Sequence, residues 1–159
     1  MRILVLSDAH GAVAPVVRAI EAHPEARHIL YLGDGVGALE DLPEQYPSRR
    51  FTFVRGNNDF GCDVPEECLL ELGGVRIFAT HGHRYGIYYG VGELLEKARQ
   101  LGARVALYGH THVARTLFED GITLLNPGSV AQPRDGRASY GALDITPAGV
   151  VPLLFRANT

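Results

Sequence analysis

Short apolar, β-branched runs recur along the first two-thirds of the chain: Ile3 to Leu6, Ile29 to Leu32, Phe51 to Val54, Val75 to Ala79 and Val105 to Tyr108. Hydrophobicity is continuous within each run rather than alternating, which predicts strands covered on both faces. Between them, Val13, Val16, Val17 and Ile20 fall on one helical stripe, with Pro15 tolerated in the first turn. A second helix is predicted from about Val91 to Leu101, with Leu94, Leu95, Ala98 and Leu101 inward and Gly102 as its C-terminal cap. Beyond residue 112 the pattern changes. Val113 to Phe118 and Ile122 to Leu125 flank the hairpin signal Glu119-Asp120-Gly121. Tyr140 to Ile145 and Val150 to Phe155 flank Thr146-Pro147-Ala148-Gly149. The order predicts an α/β fold in which βα alternation gives way to an antiparallel meander. No linker, repeat or low-complexity stretch interrupts it, so one domain over 1–159 is expected.

Composition narrows the function classes. A chain of 159 residues, 46% hydrophobic, is long enough to bury a core without staples. Fifteen Lys and Arg against 18 Asp and Glu exclude a polycationic surface and argue against a nucleic-acid partner. Cys62 and Cys68 fit neither a zinc ribbon nor a redox pair, and read as free thiols. Near the N-terminus only four consecutive apolar residues, Ile3 to Leu6, run before a charge, and no stretch approaches the ~20 of a membrane span. A cytoplasmic protein with no membrane partner is expected.

The chemistry lies where the strands stop. In open α/β sheets ligands gather beyond the carboxyl ends of the strands. Here the five runs end in Asp8-Ala9-His10, Gly33-Asp34, Gly56-Asn57-Asn58-Asp59, His81-Gly82-His83 and Gly109-His110-Thr111-His112. Taken singly, each is an ordinary turn or cap. Together they hold five of the seven histidines with carboxylates and an amide. Such a set is costly to bury unpaired, because the imidazoles repel when charged and the carboxylates resist desolvation. Divalent cations remove that conflict. Imidazole mixed with hard oxygen and no thiolate favours Mn, Fe, Zn, Co or Ni over Ca or Mg. Seven ligands are too many for one tetrahedral ion and suit two.

Five motifs in this order resemble the calcineurin-like metallophosphoesterase family, in particular its small single-domain prokaryotic phosphodiesterases. The resemblance spans residue 3 to about 130 and includes the turn Asn126-Pro127-Gly128-Ser129. It implies an αββα four-layer sandwich of two mixed β-sheets flanked by helices. It implies two divalent transition-metal ions, manganese first. Asp8, His10 and His112 would hold one; Asn57, His81 and His110 would hold the other; Asp34 would bridge them. The implied reaction is phosphodiester hydrolysis by a metal-bridging hydroxide on a small substrate, and the resemblance admits a homodimer. Asn57 keeps amide hydrogens for a phosphate oxygen, Asp59 joins it in the catalytic set, and Asn58 and His83 are expected to meet substrate.

One position departs from the family. Many members carry histidine where this chain has Asn58, which cannot transfer a proton near neutral pH. That predicts a bias toward esters whose leaving group needs little protonation, such as aryl diesters, and leaves Asp59 to bond Asn58 or backbone. Two other readings stay open: a phosphomonoesterase, and a metal-binding interaction scaffold of the same fold, like the retromer subunit the family resembles. Gly33-Asp34-Gly35-Val36-Gly37-Ala38 also fits a dinucleotide-binding pattern, but Pro43 cuts short the helix that pattern requires. Arg55, Arg84 and Tyr85 flank the motifs, and arginines so placed are expected to pair with surface carboxylates.

Overall fold

The computed structural model describes residues 1–157, so Asn158 and Thr159 of the expected domain lie outside the described residues. Its elements run β1 (Arg2–Leu6), α1 (Val13–Ala22), β2 (His28–Tyr31), α2 (Leu42–Gln45), β3 (Arg50–Phe53), β4 (Glu67–Leu72) and β5 (Val75–Thr80). There follow α3 (Gly92–Gln100), β6 (Val105–Leu107), β7 (Ala114–Glu119), β8 (Ile122–Pro127), β9 (Ser139–Thr146) and β10 (Gly149–Arg156). Two mixed five-stranded sheets form, ordered β10-β9-β1-β2-β3 and β4-β5-β6-β8-β7.

The continuous runs are strands buried on two faces. Along β1, Ile3 and Val5 enter the core between the sheets, while Leu4 and Leu6 pack toward α1 with Val16, Ala19 and Ile20. In the second sheet, Ile77, Val105 and Leu107 meet the first, while Phe78, Ala106 and Leu124 pack against Leu94, Leu95 and Ala98 of α3. The layers are therefore α1, sheet, sheet, α3, as the resemblance implies. The C-terminus of α3 closes as a Schellman turn: Gly102, with φ +67°, donates to Arg99 O at 3.1 Å, and Ala103 donates to Ala98 O at 2.9 Å. Val36–Leu39 is one turn of 3-10 helix, so no dinucleotide-binding helix opens there.

Two expectations are corrected. β4 is a strand the apolar runs did not reveal. It is an edge strand whose Glu67, Leu69 and Glu71 are exposed, and whose Cys68, Leu70 and Leu72 pack on the inter-sheet core. Gly73-Gly74, both at positive φ, close it onto β5 as a two-residue hairpin. The predicted single meander is two hairpins in different sheets. β8, buried throughout, pairs parallel to β6 with exposed β7 outside it, while β9 pairs with β1 and carries β10 at the edge.

β1, β2 and β3 are mutually parallel, as are β5 and β6. Their carboxyl ends are tied together: Asp8 N donates to Gly33 O at 3.0 Å, His10 N to Asp34 O at 3.1 Å, and Gly109 N to His81 O at 2.9 Å. A bond between His81 Nδ1 and Leu32 O, at 2.7 Å, joins one sheet to the other.

Candidate metal centre

Leaving the strands, the backbone turns sharply. Among the described residues six non-glycine positions have positive φ, and five are Asp8, His10, Asp34, His110 and His112; the sixth, Asp120, belongs to a hairpin turn. A left-handed L-residue costs on the order of 1–2 kcal/mol, which surrounding structure must offset. The loops also pack backbone against side chain. A Cβ on Gly56 would lie 2.1 Å from Asp34 Oδ1, and one on Gly33 would lie 2.5 Å from Gly56 N. Only glycine permits that approach.

Six side chains aim from this crowded edge. Asp8 is fully buried. Its Oδ2 accepts from Ser7 Oγ at 2.6 Å and His110 N at 3.0 Å, while Oδ1 has no hydrogen-bond partner. Around Oδ1 stand the Nε2 atoms of His112 at 3.3 Å, His10 at 3.7 Å and His81 at 3.8 Å. Asp34 Oδ2 lies 3.4 Å from His81 Nε2 and 3.8 Å from His10 Nε2. Two groups have ligand atoms mutually within 4.8 Å: Asp8, His10 and His112, and Asp8, Asp34 and His81. Asp8 thus belongs to both groups, a sharing that the expected assignment gave to Asp34. His110 stands beside them, its Nδ1 3.3 Å from His81 Nε2.

Hydrogen bonds fix the imidazoles. His81 Nδ1 faces Leu32 O and His112 Nδ1 faces Gln132 O at 2.6 Å, so each ring donates there and turns Nε2 inward. His10 Nε2 and His112 Nε2 face each other at 3.2 Å, two like atoms around an unsatisfied carboxylate oxygen. A buried acceptor left this way costs roughly 1–3 kcal/mol. A divalent cation satisfies the oxygen and the inward nitrogens at once, so the donor set fits a metal.

The titrations carry the same charge logic. Burial alone would raise Asp34, but His81 and the Asn58 amides hold its carboxyl well below the usual range. Burial opposes charge on His81, yet Asp34 and Asp8 raise it; Asp8 and the Gln132 carbonyl raise His112 against burial. His110 and His83 are lowered, first by burial and then by His81.

The remaining expected site residues separate. Asn58 grips Asp34, its N donating to Oδ1 and its Nδ2 to Oδ2, both at 2.9 Å. Asp59 accepts four backbone N–H bonds, from Asp34, Gly35, Val36 and Gly56, at 2.7–3.1 Å. Asn57 is exposed and lines a neighbouring cavity together with His83. His83's ring sits 5.5 Å from His81 and 6.2 Å from His110. Arg55 and Arg84 pair with Glu66, as expected of arginines so placed.

Some supports escaped the sequence reading. Tyr31 OH donates to Asp34 O at 2.5 Å and accepts from Ala9 N, tying the first two loops. Ser129 Oγ donates to Asp8 O at 2.7 Å and receives Ala131 N and Gln132 N. Asn126 Nδ2 holds Gly109 O and Thr111 Oγ1. A tyrosine inside an apolar run was the available signal, because a buried hydroxyl needs a partner.

Comparison with known proteins places this geometry. A family model of the calcineurin-like phosphoesterase superfamily domain matches residues 1–147. The chain is 33% identical to a probable metallophosphoesterase, YsnB, of Bacillus subtilis, with 91% of this chain and 85% of YsnB covered. It is also 33% identical to the phosphodiesterase YfcE of Escherichia coli, covering 96% and 92%. A predicted phosphoesterase from Streptococcus pneumoniae superposes with a TM-score of 0.77 at 28% identity, over 97% of each chain. Vps29 of Chaetomium thermophilum shares the fold, with a TM-score of 0.75 at 18% identity over 99% of each chain. With its candidate ligand side chains converging at the carboxyl ends of strands from both sheets and nearly its whole length matched, the chain belongs to the calcineurin-like phosphoesterase superfamily.

Proposed function

We propose that the protein is a metal-dependent phosphodiesterase acting on small phosphodiesters in the cytoplasm, folded as one domain, with two divalent transition ions, manganese first. The observation that carries the reading is buried Asp8 Oδ1, left without a donor while three imidazole Nε2 atoms surround it. Asp8, His10 and His112 would hold one ion; His81, His110 and Asn57 would hold the other; Asp34 would be shared. Bound ions would lower the pKa of coordinated water and screen the charge that develops on phosphate oxygens.

The chain's own side chains do the positioning. Asn58 fixes both oxygens of Asp34. Leu32 O and Gln132 O hold His81 and His112 in the tautomer that presents Nε2. Asn57, on the exposed loop, has an amide to offer a non-bridging phosphate oxygen, and His83 borders the substrate from the adjoining cavity. Asp59 acts as a positioning residue, because four backbone amides occupy its carboxylate. With no imidazole at position 58, diesters with good leaving groups are the favoured substrates.

Elemental analysis of fresh protein and a substrate panel test this together. The expected result is about two manganese-class ions per chain and faster hydrolysis of bis-nitrophenyl phosphate than of nitrophenyl phosphate. Two ions with no turnover would favour the interaction scaffold; the reverse substrate order would favour a phosphomonoesterase.

A further inference from the structure

Beside the metal centre opens a cavity of about 330 Å³ lined by Arg55, Asn57, Phe60, Glu66, His83 and Arg84 among others. At the small end of ligand-pocket sizes, it suits one substituent rather than a polymer. His83 and Asn57 sit on the boundary, with the His83 ring a single ring's distance from His81. A phosphate at the ions would therefore direct one of its ester groups into this space.

Three features describe what that group is. Phe60 is 87% exposed, so its ring forgoes about 1.5–3 kcal/mol of burial. It follows directly on Asp59, whose carboxylate is pinned by four backbone amides. The cavity's two arginines are matched in charge by its two carboxylates, Glu66 and Asp59, and Glu66 accepts from Arg84 Nε at 2.6 Å and from Arg55 at 3.3 Å. A second anionic group on the ligand gains little there, whereas a neutral planar one can stack on Phe60 and on guanidinium. Arg55 Nε and His83 Nδ1 are buried without hydrogen-bond partners. Both belong to half-buried side chains, so a turn about a side-chain bond brings either to an occupant with polar edges.

We propose that this cavity is the subsite for the retained substituent of the phosphodiester, and that it takes a nucleoside, its base stacked on Phe60. The proposal rests on the phosphodiesterase reading and names its substrate class: diesters carrying a single nucleoside. The test uses two substrates with the same leaving group, thymidine 5′-(p-nitrophenyl phosphate) and methyl p-nitrophenyl phosphate, on manganese-loaded protein. The expected result is a kcat/KM about tenfold higher for the thymidine ester, arising in KM, the scale of one base stack. Phe60→Ala should bring the ratio to about one and leave the methyl ester unchanged, while Phe60→Tyr should keep it. Equal kcat/KM for both esters in the wild type, or a ratio indifferent to Phe60→Ala, overturns the proposal while hydrolysis of the methyl ester upholds the phosphodiesterase. If neither ester turns over, that reading fails by itself. Calorimetry then still decides the cavity: thymidine 5′-phosphate should bind about tenfold tighter than methyl phosphate, and equal affinity overturns the subsite.

Discussion

β1 carries a cluster of titratable groups at each end, and the two are built on opposite terms. At its start, Arg2 bonds both oxygens of Asp144 at 2.7 and 2.8 Å and Glu25 at 2.9 Å. His23 there has its Nε2 3.0 Å from Tyr140 OH and its ring against Phe155. Each charge faces its opposite and nothing is missing. Past its other end, Asp8 is buried deeper than any group of the first cluster, yet one oxygen has no donor. Three imidazoles and a second carboxylate crowd around it, with Asp8, His10, Asp34 and His112 on left-handed backbone. The first cluster is complete as folded. The second becomes complete only with a cation, and that difference separates a structural network from a functional one.

The contrast breaks most sharply at Asp8. Asp8→Asn keeps an oxygen for Ser7 Oγ and His110 N but removes the charge shared by both ligand groups. Phosphodiester hydrolysis should fall about a thousandfold, the several kcal/mol that metal catalysis supplies. Elemental analysis should find the ion of Asp8, His10 and His112 depleted and circular dichroism an intact fold. Full occupancy in the variant would mean that the orphaned oxygen is not where cations bind.

Cation binding should also stabilise the fold. At a hundredfold excess over its Kd, manganese should add about 2.7 kcal/mol per bound ion in chemical denaturation, reversed by chelator. The sign of its pH dependence follows from His81 and His112, both raised above the ordinary imidazole value. Protons on these rings stabilise the metal-free protein fully below about pH 6.5, a contribution lost as pH rises through their folded values. Ligation needs the neutral rings, so the gain from manganese should be smallest in acid and should grow above pH 6.5. Thermal melts with and without manganese across that window would show it, and a gain that shrinks with rising pH would contradict it.

Much of this was legible in the chain because strand ends are local features. Asp8, His10, Asp34, His81, His110 and His112 each sit within a few residues of an apolar run, and the topology gathered the runs. β4 was not legible, since its alternating Glu67-Cys68-Leu69-Leu70-Glu71-Leu72 lacks the continuous apolar character of the interior strands. Nor were the long-range supports. Ser129 reaches Asp8 across 121 residues and Gln132 reaches His112 from a later turn, and no spacing rule encodes either contact. Asp59 lies between: its turn to backbone was expected, but not that three of the four donors would come from the Asp34 loop.

Asn58 sharpens the contrast by a smaller amount. Both its hydrogen bonds go to Asp34. Asn58→Ala deletes the side-chain bond and keeps the backbone one, freeing Asp34 Oδ2 to turn. Loss of such a supporting partner lowers metal affinity about 10–100-fold. Titration with manganese should therefore show weakened binding with its stoichiometry preserved. Unchanged affinity would show that packing alone orients Asp34.

At the opposite end of β1 the effect should be smallest and of another kind. Arg2→Leu removes the pairs to Asp144 and Glu25, whose side chains are 30% and 50% exposed, so water takes over much of what is lost. A cost of about 1 kcal/mol follows, which for a chain of this length lowers Tm by about 2–4 °C. Manganese affinity should stay the same, because Asp8 has its full set of contacts with Ser7, His110 and Ser129 whatever happens at residue 2. If Arg2→Leu weakened metal binding tenfold, strain would be passing along β1 from the ion-paired cluster to the metal centre, and the two ends would have to be treated as a single network.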